Sequence, residues 1–323
     1  MNISIANRLR PYSHIPGAQC AIPGTHFILE AFPTLLRLGN IEIPLKFTGP
    51  VRDFTLQQDL EKNCALVFGK AKEGSFKIEI GAQSGGFEIS FYEEKKFFPA
   101  KLFFFLPEQW ERLSLGMHKA QDWDLVLRRF DLKEILPVLY GLGQKIPPLP
   151  SQPLTGTARL LAFSEDRVLE GFEALCRAAF HKILVPRLHD DQHQGLCSDE
   201  GPDEEAAGNP FFLLQEAARR IRSLFIREED DRVRLLPNCP FDAGRMANVQ
   251  VKVGSLDLEW AKRLLRRAVL RPAASGEIAL DLQKEIRSFR VKTGGREKGR
   301  KQSASEPLLL EAGKTYFLDR FST

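Results

Sequence analysis

The chain has 323 residues, of which 43% are hydrophobic and 27% charged, the composition of a globular protein with two or three domains. Its longest purely apolar cluster, LFFFL at 102–106, is far shorter than the ~20 residues that a membrane span needs, and the first residues lack the apolar run of a signal peptide. No membrane partner is therefore expected.

The cysteines and the charge distribution indicate the compartment and the kinds of partner to expect. Five cysteines are scattered without CxxC spacing, which indicates free thiols in a reducing, cytoplasmic compartment. Residues 232–323 carry 19 Lys and Arg against 10 Asp and Glu, a net charge of +9 within a total of +4. A basic region can attract anions, but its charges are mixed with acidic residues, so nucleic acid is not an expected partner.

Strand patterns dominate the first third of the chain. Residues 1–25 contain two Pro-Gly pairs, which mark corners in an extended segment. From 26 to 106, short runs alternate apolar with polar residues between turn signals such as SGG, as in Phe76, Lys77 and Ile78. An antiparallel sandwich or barrel is predicted. The predicted strands are HFILEAF, IEIPLKFTG, VRDFTLQQ, CALVFGKA, SFKIEIGA, GFEISFYE and AKLFFFL.

Helical patterns follow. Asp122 to Arg129 has the early acid and late arginines of a helix, and DLKEILPVLYGLG predicts a second helix that Pro137 bends or ends in its first part. Residues 157–188 and 210–225 are also helical in pattern, and the acidic segment 189–209 between them is expected to be an exposed loop.

Proline density suggests a domain boundary. Pro147, Pro148, Pro150 and Pro153 predict a stiff linker at 147–156. We therefore predict an N-terminal β-sandwich with a helical extension at 1–146, a helical segment with an acidic loop at 157–230, and a C-terminal β domain at 231–323. The fold class is α+β, mainly antiparallel β-sandwich domains at both ends with a short helical segment between.

The stretch GSLDLEWAKRLLRRAVLRPAASGEIALDL at 254–282 has two interpretations. Leu258, Ala261, Leu265 and Ala268 recur at helical spacing, in a segment rich in strong helix formers. Leu256, Leu258 and Trp260 alternate as in a strand. Periodicity alone leaves both open. The segment 293–306, TGGREKGRKQSASE, is predicted to be a flexible basic loop.

One cluster combines aromatic and titratable residues. The segment WERLSLGMHKAQDWD offers ring faces on which a sugar could stack and polar groups for its hydroxyls. The same tryptophans could instead be core residues, and Arg112 could form a structural ion pair. The candidate ligand-binding residues are Trp110, Glu111, Arg112, His118, Asp122 and Trp123.

Two weaker candidates lie elsewhere. His189, His193 and Cys197 would share a helix face and could ligate zinc, but their segment has the composition of a solvated loop. In NRLRPYSHIPG, Arg8, Arg10 and His14 could bind an anion, or they could belong to an extended arm pinned to the sandwich. We predict neither a metal site nor a cofactor.

The C-terminal third resembles the C-terminal β-sandwich of α/α-barrel glycosidases of the α-L-fucosidase type. The matching pieces are Leu235–Pro240, Asp257–Trp260, Arg266–Leu270 and Leu310–Leu318. The resemblance implies that LDLEW and RRAVLRP are adjacent strands with AKRL as their turn. It also implies that the N-terminal sheet region corresponds to the other sandwich of those enzymes.

This chain departs from the family in one decisive respect. The segment between its sheet regions is far too short for the catalytic barrel, so no family catalytic residue has a counterpart here. We therefore expect a glycosidase-like protein that binds carbohydrate or serves as a scaffold. The alternatives are an active enzyme with Glu111 or Asp122 as its general acid, and a protein-interaction module that uses the Phe-rich sheet. The sequence leaves the oligomeric state open.

Overall fold

The computed structural model describes residues 3–91, 94–163, 167–180, 184–188, 209–229, 232–294 and 298–322. Its mainly antiparallel sheets at both ends, with short helices between, confirm the predicted α+β class. Two compact units are present: an N-terminal unit (8–107 and 119–218) and a C-terminal unit (1–7, 108–118 and 219–323). Both units are discontinuous in sequence, and the linear division into domains stays a prediction.

The N-terminal unit contains two antiparallel sheets. One has six strands in the order β1-β6-β7-β8-β9-β10, and the other has four in the order β2-β3-β4-β5. Alternation explains the main strands: Phe76, Ile78 and Ile80 of β8 are buried, whereas Lys77 is exposed. The strands are β1 (Tyr12–Ser13), β2 (Ala18–Ala21), β3 (Ile28–Phe32), β4 (Leu35–Leu38), β5 (Ile41–Pro44), β6 (Arg52–Asp59), β7 (Cys64–Ala71), β8 (Gly74–Gln83), β9 (Gly86–Phe91) and β10 (Glu94–Pro99).

The prediction of a strand at 100–106 is wrong. The strand after β9 is β10, which pairs with β9 from Glu94↔Phe91 to Pro99↔Gly86 and so occupies its free edge. The apolar run that follows has no ladder partner, and Phe103 is 63% exposed. An edge strand tolerates the exposed charges of Glu94 and its neighbours, so this segment can close the sheet although only half of it is apolar.

The N-terminal unit also holds the helices α1 (Trp123–Arg129), α2 (Leu132–Gln144) and α3 (Val168–Ala179), a 3-10 helix at Gly156–Ala162 and most of α4 (Pro210–Ser223). The Asp122 carboxylate caps α1 by accepting from the backbone N–H groups of Asp124 and Leu125. At Gly143 of α2, a Cβ would lie 2.4 Å from the Leu214 carbonyl oxygen of α4, so only glycine permits this approach. Within the described ranges, no helix is long and apolar enough to cross a membrane.

Two helix predictions need correction. Pro137 does not end α2, which continues through it to Gln144, because the buried apolar face on both sides of the proline holds the helix against the core. The predicted continuous pattern over 157–188 divides into the 3-10 helix and α3. The predicted acidic loop falls almost wholly at 189–208, outside the described residues.

The C-terminal unit has a seven-stranded sheet in the order β11-β14-β15-β16-β21-β18-β19 and a four-stranded sheet in the order β12-β13-β17-β20. Within the second, β13 and β17 are parallel. The strands are β11 (Arg112–Ser114), β12 (Ile226–Glu229), β13 (Arg232–Leu235), β14 (Ala243–Val251), β15 (Gly254–Ala261), β16 (Leu264–Pro272), β17 (Gly276–Asp281), β18 (Ser288–Lys292), β19 (Arg300–Ser303), β20 (Leu308–Leu310) and β21 (Tyr316–Ser322).

The ambiguous stretch at 254–282 is three strands, as the resemblance implied. β15 and β16 form a hairpin whose closing pair is Ala261↔Leu264. Lys262 and Arg263 form the turn between them with φ of 55° and 60°. Positive φ at both positions is the signature of a type I′ turn, whose twist matches that of the strands. The helical alternative fails because alternate side chains such as Leu258 and Trp260 are buried along one face.

The predicted loop at 293–306 is partly wrong. Arg300–Ser303 forms β19, which pairs with β18 from Val291↔Arg300 to Ser288↔Ser303. Lys, Arg and Ser are weak strand formers, so composition suggested a loop. At the edge of a sheet, however, exposed basic side chains are tolerated, and the buried Gln302 anchors the strand.

A row of charged side chains, here called the charge ladder, crosses the seven-stranded sheet in register: Arg245↔Glu259↔Arg267↔Asp319↔Arg290. The signs alternate from strand to strand. Glu259 pairs with both of its neighbours, at 3.0 Å from Arg245 Nη2, and Arg290 Nε lies 2.7 Å from Asp319 Oδ1. Cross-strand pairs of opposite charge stabilise adjacent strands.

Candidate functional site

An open cleft of about 820 Å³ lies in the N-terminal unit. It forms where β6, β7 and β8 meet the segment after β1. Five polar side chains line it, together with aromatic and proline rings. The lining residues are His14, Pro16, Pro33, Val51, Asp53, Phe54, Thr55, Phe68, Gly69, Lys70, Ser75 and Phe76.

An irregularity in β6 gives the cleft its shape. The pairing of β6 with β7 shifts between Arg52 and Thr55, and Asp53 at that point has a φ of 53°. Aspartate tolerates this left-handed conformation better than most residues. Across from it, a Cβ on Gly69 would lie 3.0 Å from Val51 Cγ1 and 3.1 Å from the Arg52 carbonyl oxygen. The bulge and the glycine together expose the Asp53 side chain at the cleft.

Asp53 and Lys70 form an ion pair across these two strands. Lys70 Nζ lies 2.9 Å from Asp53 Oδ2, and the two side chains are 62% and 69% exposed. The Lys70 ammonium, through its hydrogen bond and its charge, lowers the pKa of the Asp53 carboxyl. The pair thus offers a ligand an acceptor and a donor that together carry no net charge.

His14 is held in the cleft by its Nδ1 atom. That atom lies 3.1 Å from the Phe54 carbonyl oxygen and 2.9 Å from Thr55 Oγ1. The Tyr12 ring meets the imidazole edge-on, with centroids 5.3 Å apart. A histidine fixed through one nitrogen presents the other in a defined direction.

The apolar part of the cleft consists of aromatic and proline rings. Phe54 and Phe76 are buried and form its base, and Phe68 is half-buried. Phe47 stacks on Phe76 with centroids 4.0 Å apart, which fixes the base from behind. The cleft therefore combines a rigid apolar base with an exposed polar rim.

The six residues predicted as a ligand site divide between the two units. Trp110, Glu111, Arg112 and His118 belong to the C-terminal unit, whereas Asp122 and Trp123 belong to the N-terminal unit. In each unit, other groups of the protein already contact these residues.

In the C-terminal unit, the Arg112 guanidinium lies over the Trp110 ring at 5.1 Å from its centroid, covering a face on which a sugar would stack. Arg112 also donates to the Asn7 carbonyl oxygen, and His118 Nδ1 contacts Asn7 Oδ1. Three of the predicted residues thus lie close together around the N-terminal segment.

Glu111 is buried and bound on both carboxylate oxygens. Arg222 Nε lies 3.2 Å and 3.1 Å from Oε1 and Oε2, and the Gln250 N–H donates to Oε1 at 3.0 Å. Arg222 in turn pairs with Glu228 at 3.3 Å. All four residues of this network belong to the C-terminal unit. A carboxylate so engaged is poorly placed to donate a proton to a substrate.

In the N-terminal unit, Asp122 and Trp123 begin α1. Asp122 uses its carboxylate as the helix cap, and Trp123 is 1% exposed. A fully buried indole packs in the core and presents no face to a ligand in solution. Asp122 and Trp123 therefore support the helix. The polar groups that this unit offers at its surface are those of the cleft residues Asp53, Lys70 and His14.

The described residues give little support for a reactive thiol or a metal site. Cys20, Cys64, Cys176 and Cys239 are free, as predicted. Burial raises the pKa of the Cys64 thiol to about 12, so it stays protonated and unreactive at neutral pH. The predicted zinc candidates His189, His193 and Cys197 lie outside the described residues.

Sequence reasoning identified one cleft residue and missed two. His14 was noted as part of a possible anion site, whereas Asp53 and Lys70 lie 17 positions apart in strands that no local signal pairs. Arg10 from the same predicted arm instead pairs with the buried Asp59 at 2.9 Å, which fits the pinned-arm interpretation.

Comparison with known proteins adds no assignment. No model of a protein family matches the sequence, and no curated protein is similar enough to count as a relative.

Proposed function

We propose that this protein binds a neutral, polyhydroxylated ligand, a carbohydrate, in the cleft of the N-terminal unit. The observation that carries the proposal is the exposed Asp53–Lys70 pair beside His14 above a base of aromatic rings. Sugars present both hydroxyl groups, which donate and accept hydrogen bonds, and apolar C–H faces, which pack on rings.

Charge favours a neutral ligand over an ionic one. The charges of the Asp53 carboxylate and the Lys70 ammonium cancel, and the other polar lining groups are hydroxyls and an imidazole. An anion bound at Lys70 would face the carboxylate, and a cation bound at Asp53 would face the ammonium. A hydroxyl group can donate to the one and accept from the other without disturbing the pair.

The cleft favours binding over hydrolysis. Glycoside hydrolysis commonly uses two carboxyl groups, about 5–10 Å apart, on either side of the scissile bond. Asp53 is the one carboxylate among the residues that line this cleft. The resemblance of the C-terminal segments to glycosidase sandwiches, without room for the catalytic barrel, supports the same proposal of binding without turnover.

The test is a thermal-shift screen against neutral oligosaccharides, uronic acids and amino sugars, followed by calorimetric titration of any hit. At 100 times its Kd, a ligand adds about 2.7 kcal/mol to the free energy of unfolding. We expect a neutral sugar to bind, and Lys70→Met or Asp53→Asn to weaken that binding about tenfold or more, the loss of one charge-assisted hydrogen bond.

Lys95→Met is the matched control. Lys95 pairs with Glu88 at 2.8 Å and is 66% exposed, much like Lys70, but it does not line the cleft. A Glu111→Gln variant tests the predicted cluster in the C-terminal unit. A sugar whose binding is weakened by Glu111→Gln and unchanged by Lys70→Met would place the site in that cluster. The absence of a thermal shift with every sugar at millimolar concentration would refute carbohydrate binding.

Exposed phenylalanines favour a second candidate, self-association. Phe97 on β10 is 52% exposed, and Phe103 and Phe104 are 63% and 38% exposed. Exposed large apolar side chains that form a contiguous patch are typical of protein–protein contact surfaces. This candidate predicts that the wild-type chain sediments as an oligomer and that Phe97→Ser with Phe103→Ser yields monomer, with no response to sugars.

A further inference from the structure

We propose that His14 Nε2 is the hydrogen-bond acceptor that the cleft offers to a ligand hydroxyl, so that binding weakens when the imidazole is protonated. This inference rests on the proposed function for the identity of the ligand. The assignment of the accepting atom does not depend on it.

The hydrogen bonds around Nδ1 determine which ring nitrogen carries the proton. The Phe54 carbonyl oxygen, 3.1 Å away, can only accept, so Nδ1 must carry a hydrogen. Thr55 Oγ1 donates to the Asp53 carbonyl oxygen at 3.3 Å, which leaves that hydroxyl free to accept from Nδ1 at 2.9 Å. The Phe54 contact therefore places a hydrogen on Nδ1, and the Thr55 contact is compatible with it. In the neutral ring, Nε2 then bears the lone pair.

The surroundings of Nε2 make that lone pair useful to a ligand. His14 is exposed and lines the cleft with Asp53 and Lys70. The charged groups facing it from the neighbouring strands are Asp53 and Arg52 of β6 and Lys70 of β7, and Tyr12 is the titratable neighbour on β1. Lys70 can donate to one hydroxyl of a sugar while Nε2 accepts from another.

Protonation reverses this arrangement. An imidazolium carries hydrogens on both nitrogens, so Nε2 becomes a donor and can no longer accept. It also adds a positive charge beside an otherwise neutral pair. A ligand hydroxyl that donates to the neutral ring must give up that hydrogen bond and turn its oxygen to accept instead, which disrupts the arrangement that the neutral ring selects. The Nδ1 contacts to Phe54 and Thr55 survive in both states.

His26 provides an internal control with the opposite tautomer. Its Nε2 lies 2.9 Å from the Pro147 carbonyl oxygen, so that nitrogen carries the proton. Its ring is tilted against that of Phe211, with centroids 5.3 Å apart. Both histidines belong to the same unit of the same chain. They should therefore give opposite nitrogen signals in one sample.

The first experiment needs no ligand. Long-range ¹H–¹⁵N correlation spectra of the histidine-labelled full chain at pH 8, assigned with His14→Gln and His26→Gln, report the protonated nitrogen of each ring. We expect Nδ1–H for His14 and Nε2–H for His26. Diethyl pyrocarbonate, which attacks an unprotonated ring nitrogen, should modify His14 faster than His26. An Nε2–H signal for His14, or a slower reaction at that residue, overturns the assignment.

The second experiment measures the Kd of the sugar found in the screen between about pH 5 and 8, the range in which histidine changes charge. We expect the Kd to rise about tenfold toward pH 5 in the wild type, equivalent to one hydrogen bond. His14→Gln places an amide oxygen near the position of Nε2, so it should bind with little pH dependence. His14→Phe should bind weakly at every pH.

The outcomes separate this inference from the proposed function. A sugar that binds at the cleft with an unchanged Kd across this pH range, or with full pH dependence in His14→Gln, overturns the role of His14 and leaves the binding proposal intact. Failure of every sugar to bind, with the expected tautomer present, refutes the proposed ligand and leaves the accepting atom assigned.

Discussion

The charge ladder of the C-terminal unit and the cleft of the N-terminal unit both pair oppositely charged side chains across antiparallel strands, yet they differ in how the charges are satisfied. In the ladder, Glu259 and Asp319 are each engaged by arginines on neighbouring strands and are largely shielded. In the cleft, Asp53 and Lys70 are mostly exposed, and His14 is exposed beside them. Saturated pairs stabilise a sheet, whereas exposed, unsaturated groups can bind a ligand.

Trp260 and the rings of the cleft show the same contrast between groups enclosed by the protein and groups at its surface. The indole of Trp260 is 1% exposed, its Nε1 donates to the Phe241 carbonyl oxygen at 3.1 Å, and it packs on Phe225. The cleft has phenylalanine and proline rings at its base instead. Aromatic residues that attract attention in the sequence thus serve the core, and the less conspicuous rings line the surface site.

The largest expected effect comes from breaking the core of the C-terminal unit. Trp260→Ala should reduce the free energy of unfolding by about 3–5 kcal/mol, through lost burial and the cavity left behind. Urea denaturation followed by circular dichroism measures the loss. Trp110→Ala, at a half-buried ring of the same unit, should cost clearly less. Equal losses would show that Trp260 is not the centre of this core.

Removing one charge of the ladder should have the next largest effect. Asp319 is 9% exposed, and Asp319→Asn should reduce the free energy of unfolding at pH 7 by about 1–2 kcal/mol, because Arg290 loses a charge-assisted partner.

The pH dependence of that loss follows from the pKa of Asp319. The hydrogen bond from Arg290 lowers this pKa from its ordinary value of 3.8. A carboxyl whose pKa is lower when folded contributes stability that is complete above the ordinary value and is lost as the pH falls from there through the folded value. The denaturation midpoints of wild type and Asp319→Asn should therefore converge below pH 3.8. A constant difference down to the lowest pH would contradict this origin.

A smaller effect of opposite sign is expected at the hairpin turn. Lys262 and Arg263 adopt positive φ, which Asn and Gly adopt with less strain. Lys262→Asn with Arg263→Gly should raise the free energy of unfolding by about 0.5–1 kcal/mol. The control, Lys262→Ala with Arg263→Ala, removes the same side chains and keeps the strain. A gain in both variants would trace the effect to charge and not to the backbone.

The smallest effect on stability is expected in the cleft, and it tests directly whether the exposed Asp53–Lys70 pair differs from the pairs of the charge ladder. Lys70→Met should leave the denaturation midpoint unchanged, because exposed ion pairs contribute little to stability. The same substitution should weaken ligand binding, as described above. A clear loss of stability in Lys70→Met would mean that the pair supports the sheet, as the ladder does, and would remove its claim to a binding role.

Much of the fold could be predicted because its signals are local. The alternation around Phe76 and Ile78 predicted β8, and the acid-to-arginine gradient after Asp122 predicted α1. The failures came where a partner decided the outcome. The apolar run at 100–106 pairs with no strand, because β10 already occupies the edge of β9, and Arg300–Ser303 became a strand because β18 offered an edge.

The ligand site was much less predictable than the fold. A cluster such as Trp110 to Trp123 is conspicuous because its residues are close in sequence, but there the Trp110 face is covered and Trp123 is in the core. Asp53 and Lys70 are inconspicuous because each is one charged residue in a strand. Only their cross-strand position, beside a bulge and a glycine, makes them a pair at a surface.

By itself, the sequence determined the α+β class, most strands and the main helices of this protein, because periodic burial and capping act over a few residues. It also predicted the free state of the described cysteines. The tertiary structure decided which strands share a sheet, which aromatic rings are covered, and which nitrogen of His14 contacts other protein groups. Those features depend on register between segments far apart in the chain, where the free energy of a contact is set by the partner and not by the residue alone.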